Sequence, residues 1–268
     1  MTVIDPTQVN EIHLGDCVEL LSKLPDSSAQ LVIADPPYNL GPRFGLEKEW
    51  VRDEKWLPWC AEWLGQCKRI LRDDGNLLVY GIHHYLCYLQ VQLYELDMHY
   101  RRQIIWHYEN GFTTYRRSLA THYEPLLWFS KSEEYYFREL REPYKSTERL
   151  RHPITKKGKV WTPHPDGRVA GDVWRFPTLA GRRFRDEKVD HPTQKPLALT
   201  DRIVQHFSEP GSLVVVPFAG SGTECLSALQ NDRQFWASEI KSEYVDLALQ
   251  RIASETSPVS ESDAVAAT

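Results

Sequence analysis

The sequence feature that most constrains the fold is the short apolar run 31–34 (Leu-Val-Ile-Ala), which leads directly into Asp35, Pro36, Pro37 and Tyr38. A run of this length is typical of a buried parallel strand. The two prolines end the strand and fix φ, so a stiff loop follows its carboxyl end, where open α/β sheets bind ligands. A carboxylate beside a flat ring suits a planar heterocycle that carries an exocyclic amino group. The alternative is an ordinary strand-ending turn, because Asp-Pro is common turn chemistry.

A second motif follows the apolar run 213–216 and reads Pro-Phe-Ala-Gly-Ser-Gly-Thr over residues 217–223. Its glycines allow a tight turn and a close approach to a ligand. The G-x-G spacing lacks the third glycine of the dinucleotide fingerprint and the G-K-[ST] of a phosphate loop, which argues against a triphosphate. Glu239 ends the next predicted strand, where an acidic side chain can bond ribose hydroxyls. Together these features favour an adenosine-type ligand, whereas G-x-G alone favours a structural turn.

Periodicity predicts βα units at both ends of the chain, with an irregular segment between them. The predicted strands are 11–15, 31–34, 76–80, 103–107, 125–129, 213–216 and 235–238, with a turn at 73–75. The predicted helices are 17–24, 54–72, 85–96, 197–207, 224–230 and 242–253. This order predicts one doubly wound α/β sheet with a long insertion. The expected parts are 1–135 (catalytic half), 136–190 (insertion), 191–254 (cofactor-binding half of the same domain) and 255–268 (a disordered tail).

Charge is distributed unevenly along the chain. The net charge is −5, yet residues 139–188 hold 13 Lys and Arg against 7 Asp and Glu, together with four Trp and Phe residues. A solvated surface insertion explains the charge alone, but the aromatic residues favour a phosphate-binding face. The residues predicted to contact DNA phosphates are Lys156, Lys157, Lys159, Arg182, Arg183 and Arg185.

Composition excludes several classes of protein. The five cysteines are scattered and form no C-x-x-C pair, so neither a disulfide framework nor a metal site is indicated. The apolar runs are too short to span a bilayer, and residues 1–12 lack the features of a signal peptide. We therefore expect a cytoplasmic protein without membrane contact.

Three motifs together resemble the S-adenosylmethionine-dependent DNA amino-methyltransferases. They are the Asp-Pro-Pro-Tyr loop 35–38, the His-Pro-Thr-Gln-Lys-Pro segment 191–196 and the glycine loop 217–223. The catalytic loop comes first and the cofactor loop last, an order that resembles the β class of this family. The resemblance implies a circularly permuted, Rossmann-like sheet, with a target-recognition region in the irregular segment. Double-stranded DNA is the implied substrate, and a homodimer and a cognate restriction enzyme are implied partners.

The resemblance also implies roles for individual residues. Asp35, Pro36, Pro37 and Tyr38 would form the catalytic loop, with Tyr38 stacked on a flipped base. Asp16 would face the cofactor's adenine, and Glu239 would bond its ribose. The methionine end would be lined by Phe218, Gly220, Ser221, Gly222 and Thr223, and its carboxylate pocket closed by His191, Thr193, Gln194 and Lys195. One position departs from the family pattern: Val216 stands where an Asp usually precedes Pro-Phe, so an acceptor near the cofactor is missing.

The target atom is the least determined part of this prediction. No cysteine follows a proline, which excludes methylation of a cytosine carbon through a Pro-Cys nucleophile. Between the two amino-group chemistries, Asp35 at the first position of the loop favours N6 of adenine over N4 of cytosine. A methyltransferase of RNA or protein and a non-catalytic DNA-binding descendant are the rival interpretations, the second because of Val216.

Overall fold

The computed structural model describes residues 7–39, 53–82, 85–111, 117 and 119–256. Its centre is an eight-stranded sheet of order β1-β12-β11-β2-β3-β5-β4-β10. The strands of this sheet are β1 (Glu11–Leu14), β2 (Ala29–Ala34), β3 (Leu71–Tyr80), β4 (His99–His107), β5 (Tyr123–Ser130), β10 (Val173–Arg175), β11 (Leu213–Val216) and β12 (Gln234–Glu239). All pairings are parallel except the two made by β5.

Helices cover both faces of this sheet. They are α1 (Cys17–Leu21), α2 (Asp53–Ile70), α3 (Leu86–Glu95), α5 (Leu197–Phe207), α6 (Thr223–Gln230) and α7 (Ser242–Thr256), while α4 (Glu148–Arg151) lies in the irregular segment. Alternate residues of β2 face opposite layers: Val32 and Ala34 join the core under α1–α3, and Leu31 and Ile33 join the core under α5–α7. Burial on both faces explains why this strand is a continuous apolar run. The predicted doubly wound α/β class is confirmed.

The sheet brings the two main motifs together. β11 lies between β12 and β2, so the connections from β11 and from β2 run to opposite sides. The carboxyl ends of these two neighbouring strands carry the glycine loop and the Asp-Pro-Pro-Tyr loop. This is the switch point at which open α/β sheets bind ligands.

The segment 136–190 is not separate from the main sheet, because one of its strands pairs with that sheet. Its short strands are β6 (Arg141–Glu142), β7 (Ile154–Lys156), β8 (Lys159–Trp161), β9 (Arg168–Val169) and β10. β6 pairs with β9 and β7 with β8, but β10 pairs with β4 and extends the main sheet. Strands of two or three residues are too short to leave a periodic pattern, which explains why the sequence analysis did not find them.

Two further predictions are modified by the structure. Residues 73–75, predicted as a turn, lie within β3, where the pairing with β2 skips from Leu71 to Asn76. The segment therefore bulges out of the ladder without ending the strand. The predicted disordered tail begins inside α7, which continues to Thr256, and the rest of that tail lies outside the described residues. Among the described residues, no helix is long and apolar enough to cross a membrane.

Candidate active site

Four strands deliver side chains to the edge of the sheet next to the Asp-Pro-Pro-Tyr loop. Asp35 follows β2, Tyr80 ends β3, and Trp106 lies near the end of β4. β5 runs in the opposite direction, so its second residue, Glu124, reaches the same edge and pairs with Trp106. Because β5 is antiparallel to its neighbours, it contributes the Glu124 carboxylate from its beginning, whereas the other three strands contribute residues from their ends.

Asp35 is held by two neighbours. The hydroxyl of Tyr38 donates a 2.5 Å hydrogen bond to Oδ1 of Asp35, and Nζ of Lys195 lies 2.8 Å from Oδ2. Nζ of Lys195 also lies 3.3 Å from the Tyr38 hydroxyl and 3.6 Å from Oε2 of Glu124. One ammonium group therefore contacts two carboxylates and the Tyr38 hydroxyl.

Lys195 is almost completely buried, with a side chain only 4% exposed. Burial disfavours its charged form, but Asp35 and then Glu124 favour it, and the net effect raises the pKa of Lys195 above its usual value. Burial raises the pKa of the Glu124 carboxyl, although Lys195 opposes this shift. In its resting state the site thus holds a cation between two acidic groups.

A cavity of about 270 Å³ opens beside this cluster. Its aromatic walls are Tyr38 and Trp106, and its charged and polar lining includes Glu124, Thr193 and Lys195. The segment 178–180, which follows β10, closes another side. A flat aromatic ligand with a polar edge fits such walls.

The glycine loop is closely packed against the segment 191–196. Gly220 has φ +48°, and a Cβ built there would lie 3.0 Å from the ring of His191. Gly222 has φ +71°, and its Cβ would lie 2.8 Å from that of Ala248. Both positions therefore require glycine for backbone conformation and for space. Burial lowers the pKa of His191 to about 4, so this ring is neutral at physiological pH.

Glu239 organises the loop from the neighbouring strand. Its carboxylate accepts hydrogen bonds from the backbone N–H groups of Gly220 (2.9 Å) and of Ile240 and Lys241 (3.0 Å each). Its carbonyl accepts a bond from Gly15, which precedes Asp16. Asp16 is exposed and caps α1 by accepting from the N–H groups of Val18 and Glu19. The predicted adenine and ribose contacts therefore lie at the ends of two adjacent strands.

The remaining glycine-loop residues are fixed by packing. Phe218 contacts Trp59 and Trp63 of α2, with ring centroids 5.8 and 5.4 Å away. The hydroxyls of Ser221 and Thr223 lie 3.1 Å apart, and Arg251 donates to Thr223 Oγ1 at 2.7 Å. These contacts order the loop before any ligand is bound.

Val216 and Glu224 are both buried near this loop. Val216 is 1% exposed and packs in the apolar core, so it offers no acceptor. Glu224 is 4% exposed, and its Oε1 has no hydrogen-bond partner among the described residues. Burial first and Asp35 second raise the pKa of the Glu224 carboxyl to about 7. A buried carboxyl thus lies in the first turn of α6, directly after the glycine loop.

The four residues predicted to close the methionine carboxylate pocket all line the cavity, but they contact different partners. His191 contacts the glycine loop, and Thr193 lines the cavity. Lys195 contacts Asp35, on the catalytic side. The amide of Gln194 bonds the backbone of Glu187 and Val189, which gives it a role in fixing the segment.

The six predicted DNA contacts are all exposed and lie on two elements. Lys156, Lys157 and Lys159 surround the tip of the β7–β8 hairpin, and Lys159 lies over the ring of exposed Trp161. Arg182 and Arg183 lie in a short 3-10 turn and Arg185 follows it, just beyond the cavity wall 178–180. Sequence reasoning missed Tyr80, Trp106, Glu124 and Glu224, because nothing in their local sequence marks them as site residues.

The sheet and the two loops at its switch point define the protein as a Rossmann-like methyltransferase. The chain belongs to the DNA methylase family of N6 and N4 amino-methyltransferases, whose model matches residues 29–250. The chain is therefore an S-adenosylmethionine-dependent DNA amino-methyltransferase, as the sequence predicted.

Individual proteins agree with this assignment. The type II methyltransferase M1.MboII of Moraxella bovis is 32% identical over 90% of this chain and 95% of its own length. The DNA adenine methyltransferase YhdJ of Escherichia coli K12 is 33% identical over 90% of this chain and 81% of its own. The structure of the cytosine-N4-specific PvuII DNA methyltransferase is similar in fold, with a TM-score of 0.68, 18% identity, and coverage of 97% of this chain and 93% of that one.

Proposed function

We propose that this protein methylates N6 of adenine at a specific sequence in double-stranded DNA, with Asp35 and Tyr38 as the central catalytic residues. The observation that carries the proposal is the contact of Asp35 with Tyr38 and Lys195, both of which line the cavity beside the switch point. N4 of cytosine is the alternative target.

Asp35 acts on the amino group of the target base. The nitrogen lone pair is delocalised into the ring and is a poor nucleophile. The Asp35 carboxylate and the Pro36 carbonyl accept hydrogen bonds from the two N–H groups, which favours a pyramidal nitrogen whose lone pair faces the methyl donor. The carboxylate also stabilises the positive charge that develops on nitrogen. Pro37 keeps this loop rigid.

Tyr38 holds the base by its face. The target nitrogen is inaccessible inside a duplex, so the base must be flipped out of the stack. Stacking on an aromatic side chain is worth about 1–3 kcal/mol per base, which offsets part of the cost of unstacking. Trp106, on another wall of the cavity, supplies further aromatic surface.

The residues of the glycine-loop side fit S-adenosylmethionine. When bound, this cofactor supplies an electrophilic methyl group, and its cationic sulfur makes activation by a metal unnecessary. Gly220 and Gly222 let the loop turn tightly and pack directly against His191 and Ala248, where an added Cβ would clash. Glu239 and Asp16 would hold the ribose and adenine, and Phe218, Ser221, Thr223 and Thr193 would line the methionine end. The buried Oε1 of Glu224, which has no hydrogen-bond partner among the described residues, offers an acceptor close to the glycine loop, where Val216 supplies none.

Two arguments favour adenine. Asp35 at the first position of the loop resembles the adenine enzymes, whereas Ser is commoner there in the cytosine enzymes. The relative YhdJ, 33% identical over 90% of this chain, is a DNA adenine methyltransferase. Both chemistries require the same geometry around the amino group, so the loop alone favours adenine only modestly.

DNA binding and target choice are assigned to the segment 136–190. Its exposed lysines and arginines would contact phosphates, which provide most of the affinity, while the hairpin with Trp161 offers groups for base contacts. A homodimer, a cognate restriction enzyme and the circular permutation remain predictions from the family resemblance.

Base analysis tests the proposal directly. The protein is expressed in a host lacking DNA methyltransferases, and the genomic DNA is hydrolysed and examined for N6-methyladenine and N4-methylcytosine by mass spectrometry. We expect N6-methyladenine in the hydrolysate of the wild type, and none with the Asp35→Ala variant. N4-methylcytosine would move the target to cytosine. Absence of both, together with no binding of S-adenosylmethionine in a calorimetric titration, would favour the non-catalytic descendant.

A further inference from the structure

Methyl transfer to an amino group leaves one proton to be removed, a step that the mechanism above does not assign. The nitrogen forms a bond to the methyl carbon as the S–C bond of the donor breaks, with the electron pair of that bond remaining on sulfur. The nitrogen then carries a positive charge until one N–H proton leaves. Asp35, which accepts a hydrogen bond from this group in the proposed mechanism, is the nearest base.

A continuous chain of polar atoms leads away from Asp35. Oδ2 of Asp35 lies 2.8 Å from Nζ of Lys195, and the same Nζ lies 3.6 Å from Oε2 of Glu124. A movement of roughly 0.4 Å along the flexible lysine side chain makes the second contact a hydrogen bond. The three groups come from separate elements: the loop after β2, the segment before α5, and β5.

The far end of this chain is a vacant acceptor. Oε2 of Glu124 is buried and has no hydrogen-bond partner among the described residues. The Glu124 side chain is nevertheless 23% exposed and lines the cavity, so a proton held there can later reach solvent. Lys195, at 4% exposed, is screened from bulk water and can exchange protons only with its neighbours.

The electrostatics suit a proton acceptor at Glu124. With both carboxylates ionised, Asp35, Lys195 and Glu124 carry a net charge of −1, and an added proton neutralises the group. Burial raises the pKa of the Glu124 carboxyl, which increases its affinity for that proton. The other titratable groups that face Glu124 or share its cavity are Tyr38, Tyr80, Tyr108, Lys188 and His191.

We propose that Asp35, Lys195 and Glu124 form a proton relay for the methylation reaction. Asp35 takes the proton from the methylated nitrogen. The Lys195 ammonium has no lone pair, so it first releases one of its three protons to Oε2 of Glu124, and its neutral nitrogen then accepts the proton from Asp35. Asp35 and Lys195 return to their starting states, and Glu124 is left as the neutral acid. The relay rests on the proposed amino-group methylation, but it applies equally to adenine and cytosine.

A purely structural role is the competing explanation, in which Glu124 and Lys195 only balance each other's charge. Two variants separate the explanations. Glu124→Gln keeps the size of the side chain but accepts no proton. Lys195→Arg keeps the positive charge, but its guanidinium does not deprotonate in proteins. Glu109→Gln, an exposed glutamate just after β4, is the matched control.

The experiment measures single-turnover methyl transfer from pH 5 to 9 on the DNA that the wild-type protein methylates. The wild-type rate should rise with pH as Glu124 ionises, because an acceptor must be deprotonated. We expect Glu124→Gln and Lys195→Arg to slow the step by about 10²-fold, and Glu124→Gln to lose the pH dependence. Cofactor affinity by calorimetry and base flipping by 2-aminopurine fluorescence should be unchanged in Glu124→Gln, and Glu109→Gln should match the wild type throughout.

The relay is overturned if Glu124→Gln retains the wild-type rate or pH profile, or if a folded Lys195→Arg retains the wild-type rate. If Lys195→Arg does not fold, as judged by its melting temperature, the pH profile of Glu124→Gln decides alone. Wild-type protein that methylates no DNA contradicts the proposed function itself, whereas an active wild type with an unaffected Glu124→Gln contradicts only the relay.

Discussion

The hydroxyl of Tyr38 donates a 2.5 Å hydrogen bond to Oδ1 of Asp35, three residues earlier in the same loop. The tyrosine therefore does more than present a flat ring, because it also fixes the orientation of the carboxylate. Lys195 holds the other carboxylate oxygen at 2.8 Å. Asp35 is thus fixed at both oxygens before DNA binds, which reduces the reorganisation needed during the reaction.

Replacement of Asp35 with Ala should abolish methyl transfer and leave cofactor binding nearly intact. In the proposed mechanism the carboxylate stabilises the charge that develops on nitrogen, and loss of one such oriented group costs about 10²–10³ in rate. Single-turnover assays measure the rate, and calorimetric titration measures S-adenosylmethionine affinity. A variant that kept more than half of the wild-type turnover would exclude this role for Asp35.

Tyr38 should tolerate Phe better than Ala. In the proposed mechanism the ring stacks on the base, and the hydroxyl orients Asp35. Tyr38→Phe should therefore lose part of the rate and Tyr38→Ala most of it. The comparison uses single-turnover rates at saturating DNA, with 2-aminopurine fluorescence as a measure of base flipping. Equal activity of the two variants would show that stacking is unimportant.

Glu239→Ala should weaken S-adenosylmethionine binding much more than DNA binding. The carboxylate accepts hydrogen bonds from the backbone N–H groups of Gly220, Ile240 and Lys241. Its loss should therefore disturb the glycine loop as well as the proposed ribose contact. Calorimetry with the cofactor alone and an anisotropy titration with DNA give the two affinities. Glu243→Ala, an exposed position in α7, is the control, and unchanged cofactor affinity in Glu239→Ala would move the ribose site elsewhere.

Replacement of Arg182, Arg183 and Arg185 with Gln should weaken binding to all DNA sequences. Each lost phosphate contact should reduce the slope of log affinity against log salt by about one unit. Methyl transfer at saturating DNA should survive, because Asp35 and Tyr38 are untouched. Lys23→Gln, at an exposed position just after α1, serves as the control. Wild-type affinity with an unchanged salt slope would take the arginine run out of the DNA interface.

Glu224→Gln should stabilise the cofactor-free protein at alkaline pH. The pKa of Glu224 is raised from 4.5 to about 7 in the folded protein, so the folded state holds a proton that the unfolded chain releases. Stability from this group is present below pH 4.5 and is lost as the pH rises to about 7. Melting temperatures from pH 4 to 8 should show the variant gaining over the wild type as pH rises, by at most about 3 kcal/mol in free energy of unfolding. A constant difference across this range would contradict the assigned pKa.

The sequence predicted the elements that carry a periodic pattern. β2, α5 and β11 were predicted within two residues of their observed bounds, because each combines a clear apolar pattern with Pro or Gly at its ends. The sequence analysis missed β10, because a pattern of only three alternating residues does not distinguish a strand from a loop. Its place in the main sheet depends on pairing with β4, which is distant in the chain.

The catalytic cluster could be predicted only in part. Asp35 and Tyr38 lie in a recognisable motif, but Glu124 is a single acid at the start of an ordinary strand. Its position at the site follows from the reversed direction of β5, which no local pattern reveals. Lys195 was assigned to the cofactor carboxylate, and its contact with Asp35 emerges only when distant segments are packed together.

The pairing of β10 has a consequence for how DNA is read. Trp174 of β10, Trp106 of β4 and Glu124 of β5 form one row across three strands, so the segment that would recognise DNA is joined rigidly to the pocket that would receive the base. The segment that would recognise DNA and the pocket that would receive the base then keep a fixed distance from each other. The rigid sheet would therefore determine how many base pairs separate the recognised sequence from the methylated base. A residue inserted between Arg175 and the cavity wall at 178–180 would alter that spacing.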